Sequence, residues 1–219
     1  AGLNILGAHI DSPRLDLKQN PVYENNGFAF LDTHYYGGIK HYQWVTLPLA
    51  LHGVVAKTDG TVVDVNVGDD AGDPVFCVTD LLPHLGNQQM AKKGSEVVEG
   101  ENLDVLIGNR PLKVEPADDA SDEEKAAAKE PVKAFALKLL EEKYGITEED
   151  FLSAEIEVVP AGRARELGFD RSMVIGYGQD DRVCAYTSLE AQLAIETPKK
   201  TAVTVLVDKE EIGSVGATG

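Results

Sequence analysis

Six residues of this chain have types and spacings suited to holding a metal ion: His9 and Asp11, Asp180 and Asp181, Glu210 and Glu211. Two adjacent glutamates at the end of a buried strand are costly to desolvate unless something cationic meets them. A histidine two residues before an aspartate on an extended strand shares a face with it. A metal-binding histidine commonly has its other ring nitrogen held by a carboxylate or a backbone carbonyl. Each cluster taken alone leaves a second reading open, a charged turn leaving a strand or a histidine packed in a core. Three such clusters, each just after an apolar run, favour a common site.

The elements that must position these residues are legible as apolar runs. Ala202 to Val207 is rich in valine and reads as a strand buried on both faces. It delivers Asp208, Lys209, Glu210 and Glu211 at its carboxyl end, where open α/β sheets bind their ligands. Leu3 to Ala8 is a second apolar strand, ending in His9-Ile10-Asp11 and broken by Ser12-Pro13. Met173 to Tyr177 reads as a third strand, with Gly178-Gln179-Asp180-Asp181-Arg182 after it. Val183 to Ile195 has a helical apolar pattern, closed by Pro198 and the lysines beyond it.

Between about Leu17 and Pro160 the pattern becomes β-rich. Strands are expected over Phe28 to His34, Trp44 to Lys57, Thr61 to Val67, Leu103 to Ile107 and Ala154 to Val159. Lys57-Thr58-Asp59-Gly60 is a hairpin signal, and Gly37-Gly38 marks a tight turn or a close backbone approach. Residues 79–85 read as a short capped helix or turn. Ala117 to Lys129, acidic and alanine-rich, reads as a solvated loop or loose helix. Pro131 opens a helix to about Tyr144 with Val132, Phe135, Leu139 and Leu140 on its apolar face. Thr147-Glu148-Glu149-Asp150 resembles a helix start.

Composition bounds the function. Across 219 residues, 20 Lys+Arg stand against 37 Asp+Glu for a net charge of −17. That balance argues against nucleic-acid and anionic-membrane partners, which demand a basic surface. Two cysteines, Cys77 and Cys184, sit in apolar contexts and are expected to be reduced, buried thiols. With no signal peptide and no run of membrane-spanning length, a cytoplasmic location is expected. Both ends look cut, so the chain is expected to be a piece of a longer protein.

The segments GAHIDSPRLDLK, GQDDR and DKEEIGS, in this order with a long insertion after the first, resemble the aspartyl aminopeptidase/aminopeptidase I family of dizinc metallo-aminopeptidases. LPHL and the YGG turn resemble that family's insert. The resemblance implies an α/β fold: a partial zinc-peptidase catalytic domain, a mixed sheet with helices, interrupted by an inserted β-rich dimerisation domain. The expected division is 1–17 and 161–219 for the catalytic domain and 18–160 for the insert.

The resemblance also implies roles. His9, Asp180 and Glu211 become zinc ligands, with Asp180 bridging two metals and a cis peptide bond to Asp181. Glu210 becomes the general base, and Asp11 orients His9. His84 becomes a substrate-binding or oxyanion-binding residue that reaches a neighbouring subunit. Two zinc ions serve each complete site, with an Asp and a His expected beyond Gly219 to complete the ligands. The partners implied are a peptide substrate and further copies of the chain, as a dimer building block of assemblies up to a dodecamer. Val45-Thr46-Leu47 after Trp44 departs from the charged pair of many relatives, and no basic pocket identifies the preferred amino-terminal residue. Rival readings are a related dizinc deacylase and a non-catalytic oligomerisation module.

Overall fold

Strand β1 (Leu3–His9) pairs in parallel with β10 (Thr201–Val207), in register from Leu3 opposite Thr201 to His9 opposite Val207. This alignment, in a computed structural model that describes residues 2–113 and 121–215, brings the carboxyl ends of both strands to one edge. In chain order the strands between them are β2 (Arg14–Asn25), β3 (Phe28–Tyr36), β4 (Leu49–Ala56), β5 (Val62–Val67), β6 (Val105–Gly108), β7 (Ala154–Pro160), β8 (Arg165–Leu167) and β9 (Met173–Ile175). The helices are α1 (Asn87–Met90), α2 (Asp122–Lys129), α3 (Pro131–Tyr144) and α4 (Gln179–Leu193). The fold is mixed α/β, and the chain divides into two compact units. One holds the residues up to Arg14, Tyr36–Ile39 and the residues from Arg163 on; the other holds Leu15–Tyr35 and Lys40–Gly162.

The first unit is the β1–β10 pair with α4 packed on it, plus the antiparallel hairpin of β8 and β9. Its apolar strands are open. Leu3 is 59% exposed, Ile5 60% and Val205 43%, where burial on both faces was expected for 202–207. A strand is buried on both faces only when a layer covers each, and this unit supplies one helix to a two-stranded sheet. The strand expected over 173–177 forms at Met173–Ile175 and pairs with β8.

The second unit is a six-stranded sheet in the order β5-β4-β7-β2-β3-β6. Leu15, Leu49, Val55, Leu103, Val105 and Val158 are fully buried in it. The Lys57–Gly60 turn joins β4 to β5, with the Lys57 N–H donating to Thr61 O at 2.8 Å. Of the run from Trp44 to Val55, Trp44, Leu49, Ala50, Leu51 and Val55 are buried, while Leu47 and Val54 are exposed at 36% and 39%. Strand β2 was not expected: Ser12-Pro13 reads as a break, and the next strand was expected only from Phe28. Its ladder with β7 engages only Leu15 and Asp16, leaving the fully buried Pro21 beyond that ladder.

Helix α3 begins at Pro131 and ends at Gly145 in the left-handed region, φ 65°. Its first free N–H groups, at Val132 and Lys133, donate to the Glu24 carboxylate at 2.8 and 3.0 Å. It leaves an apolar cavity of about 560 Å³ against Leu17, Leu31, Leu51, Val65 and Ile107. Helix α2 carries a capping box between Ser121 and Glu124, where a solvated loop or loose helix was expected over 117–129; residues 117–120 lie outside the described residues. Among the described residues no helix is long and apolar enough to cross a membrane. The expectation of buried thiols fails for Cys184, which is exposed on α4, while Cys77 is half-buried; both are free.

Candidate metal centre

His9 closes β1 with its side chain largely covered, at 14% exposure. Its Nδ1 lies 3.1 Å from the backbone oxygen of Asp11. A carbonyl only accepts, so Nδ1 carries the proton and Nε2 is left as an electron-pair donor. The Asp11 carboxylate stands behind the ring, its Oδ1 3.3 Å from Nδ1 without hydrogen-bond alignment. On its far side the His9 Nε2 faces Asp180 Oδ1 at 3.4 Å and Glu210 Oε2 at 3.7 Å. One donor atom each from His9, Glu210 and Glu211 lies within 4.8 Å of the others.

These separations fit a metal better than mutual hydrogen bonds. Ligand atoms at about 2.0–2.1 Å from a tetrahedral zinc are about 3.3–3.4 Å apart, matching the His9–Asp180 spacing. The donor set, imidazole nitrogen with carboxylate oxygens, also suits zinc. Asp180 and Glu210 are open to solvent, at 88% and 57% exposure of their side chains, so a ligand can approach.

Asp11 is the hub of the site. Its side chain is 1% exposed, and its Oδ2 accepts from the Tyr36 hydroxyl at 2.6 Å and from the Glu211 N–H at 2.9 Å. Burial pushes its carboxyl up, yet the Tyr36 hydroxyl and the backbone N–H groups of Glu211 and Glu210 hold it below the ordinary value. The opposite balance holds at Glu211. Burial raises its carboxyl, His9 lowers it, and the neighbouring Asp180, Asp11 and Glu210 leave it raised. Burial lowers the His9 pKa, but the Asp11 carbonyl and the charges of Glu210, Asp11 and Asp181 raise it overall. Acidic crowding around one imidazole is the electrostatic setting that a cation relieves.

Asp180 arrives from the start of α4, and its peptide bond to Asp181 is cis, the isomer the resemblance implies. Ser12 Oγ donates to the Asp180 carbonyl at 3.1 Å, and Arg182 Nη1 reaches Ser12 Oγ at 3.3 Å and Gly178 O at 3.2 Å. Gly178 adopts φ 74°, and a Cβ there would overlap the Arg182 guanidinium.

The structure thus gathers His9, Asp11, Asp180, Glu210 and Glu211 in the first unit. His84 belongs to the second unit, exposed in a segment where Leu81, Leu82 and Leu85 are 55%, 53% and 69% exposed. Sequence reasoning missed Tyr36, Ser12 and Arg182 as parts of the site. The only signal for Tyr36 was the glycine pair that follows it.

The whole chain, residues 1–219, matches the family described as aminopeptidase I zinc metalloprotease (M18). It is 63% identical over 218 residues to a probable M18 family aminopeptidase 1 of Clostridium acetobutylicum, an alignment covering 100% of this chain and 44% of that relative. Its fold is similar to the crystal structure of aminopeptidase I from the same organism, with TM-score 0.86 and 61% identity over 99% of this chain and 45% of that one. A crystal structure of an M18-family aminopeptidase from Thermotoga maritima gives TM-score 0.85 and 51% identity, over 98% of this chain and 44% of the other. The chain therefore spans under half the length of the relatives it matches. By sequence over its whole length, with the fold in agreement, this chain belongs to the M18 family of aminopeptidase I zinc metalloproteases.

Proposed function

We propose that these residues are part of a cytoplasmic zinc aminopeptidase that removes the first residue of a peptide, with two zinc ions in each complete site. The observation that carries this reading is the convergence of His9, Asp180, Glu210 and Glu211 at the carboxyl edge of β1 and β10. His9, Asp180 and Glu211 are the proposed zinc ligands and would hold the metal at this edge, with Asp180 serving both ions. The remaining ligands, an Asp and a His, are proposed to lie in sequence outside these 219 residues. Residues 1–17 and 161–219 are read as catalytic-domain sequence and 18–160 as an inserted dimerisation domain.

Bound zinc supplies Lewis acidity that polarises the scissile carbonyl and acidifies water from pKa 15.7 to about 7. The chain's own residues do the rest. Asp11 and its carbonyl keep the His9 proton on Nδ1, so that Nε2 stays a donor. Glu210, exposed and free to turn, takes the proton of the attacking water, a role worth about 10²–10⁴ in rate.

The division of labour between the two glutamates has a direct test in the full-length protein. Glu210→Gln should abolish turnover while zinc content, measured by atomic emission, stays at the wild-type level. Glu211→Ala should lose zinc. Equal zinc loss in both variants sinks the assignment, and a zinc-free wild type sinks the reading as a whole.

Assembly is proposed on exposed apolar surface of the second unit. The leucines 81, 82 and 85 together with Met90 form one exposed apolar segment there that a second copy could cover. His84 lies among them and is proposed to donate a hydrogen bond to oxyanion charge in the neighbouring subunit's site. His84→Ala in the full-length protein should keep zinc and oligomer while turnover falls about 10²–10³-fold. Unchanged turnover would leave His84 without that role.

A further inference from the structure

We infer that the turn formed by Tyr36 and Gly37 is a positioning device of the metal centre, acting through Asp11 and the backbone at Glu211. The inference rests on the metal-site reading above and names residues that reading does not use.

Tyr36 ends β3 and belongs to the first unit, although the strand that carries it runs through the second. It is only 6% exposed, and the Arg14 guanidinium lies over its ring, 3.9 Å from the centroid. Arg14 is itself 3% exposed, so the ring is held by a buried cation on its face. Its hydroxyl points at the Asp11 carboxylate, 2.6 Å from Oδ2. Packing alone would be served by phenylalanine. A phenol donating to an ionised, buried carboxylate is a charge-assisted contact, and it defines where that carboxylate stands.

The position of Asp11 in turn sets two features of the metal centre. Its backbone carbonyl, 3.1 Å from His9 Nδ1, fixes which ring nitrogen faces the ligand side, and its carboxylate Oδ1 stands 3.3 Å from that same nitrogen. The same Oδ2 that accepts from the Tyr36 hydroxyl also accepts from the Glu211 N–H, which anchors the loop carrying both glutamates. Without the hydroxyl, a carboxylate with 1% exposure has an empty acceptor site and freedom to rotate away from His9.

Gly37 acts on the same loop from its other side. It adopts φ 73°, and a Cβ there would lie 3.1 Å from Glu211 Cβ and 3.3 Å from Glu211 O. The turn therefore both grips Asp11 and abuts Glu211; the left-handed φ at 37 favours glycine, and a Cβ there would crowd Glu211. Gly38 faces open space and has no such requirement.

The test uses full-length protein and zinc alone, with affinity read by competition against a chromophoric chelator. Tyr36→Phe, which keeps the ring and the Arg14 contact, should weaken zinc binding about 10-fold, the lower end for partners beyond the ligands. Its metal-free melting temperature should stay near wild type. In an Asp11→Ala background, which leaves no side-chain acceptor, the same substitution should have no further effect, because the route through Asp11 is already gone. Gly37→Ala should weaken zinc binding, and Gly38→Ala should not.

Wild-type zinc affinity in Tyr36→Phe overturns the inference. So does an equal loss in both backgrounds, which would mean that the hydroxyl acts by another route. Should Tyr36→Phe fail to fold, Asp11→Ala alone decides: unchanged zinc affinity there overturns the inference. If wild type holds no zinc, or if His9→Ala holds as much as wild type, the underlying metal-site reading fails instead.

Discussion

The two units of this chain solve opposite problems. In the sheet of β5-β4-β7-β2-β3-β6, side chains such as Leu15, Leu49 and Val158 are fully buried, and position is set by close packing. In the β1–β10 unit, Leu3, Ile5 and Val205 are between 43% and 60% exposed, and only Ala185 of α4 is buried. There the geometry of the candidate site is held by a few polar contacts centred on Asp11, Ser12 and Arg182. Among the described residues α4 is the helix packed on that pair of strands, and the chain spans under half the length of its relatives, so packing within these residues does not set the site. Directed hydrogen bonds to one buried carboxylate supply the missing precision.

The contrast can be broken by mutation in these 219 residues. Leu49→Ala should cost about 2–5 kcal/mol in urea unfolding, since it opens a cavity in a closed core. Leu3→Ala should stay within about 0.5 kcal/mol, as a substitution on an open face. A cost at Leu3 matching that at Leu49 would show β1 covered in solution, and the contrast would fall.

A smaller effect sharpens the same comparison from the side of the closed unit. Asp150 accepts from the Thr147 N–H at 2.8 Å and from its hydroxyl at 2.9 Å, fixing the start of the 3₁₀ turn Glu149–Ser153. The backbone N–H of Thr147, then its hydroxyl, lower the Asp150 carboxyl below its ordinary value. A depressed carboxyl contributes stability above its unfolded-state pKa of about 3.9 and loses it as pH falls through the folded value. Asp150→Asn should therefore cost about 1 kcal/mol at pH 7. The gap from wild type should close as acid is added below about pH 4. A gap constant with pH would mean that the charge of Asp150 contributes nothing.

Much of this could be read from residue order alone. The apolar runs at 3–8 and 202–207, each followed by ligand-type residues, are local patterns, and strands form at both places. The Lys57–Gly60 hairpin, the α3 start at Pro131 and the approach of Gly37 to another backbone are equally local, written in turn and helix chemistry. The family followed from three short motifs in order.

What only the tertiary structure decided depends on residues far apart in sequence. Strand β2 forms despite Pro21 because its neighbours in the sheet accept it, which no window around Pro21 reveals. The openness of β1 and β10 depends on how many layers cover them; a run of valines has the same composition whether it is covered or bare. Tyr36 joins the site because a strand end 25 residues from Asp11 returns to it, and Glu211 does so from 200 residues away. Sequence periodicity reports which face a side chain takes on its own element. Which distant group meets that face is set by the chain's path in space.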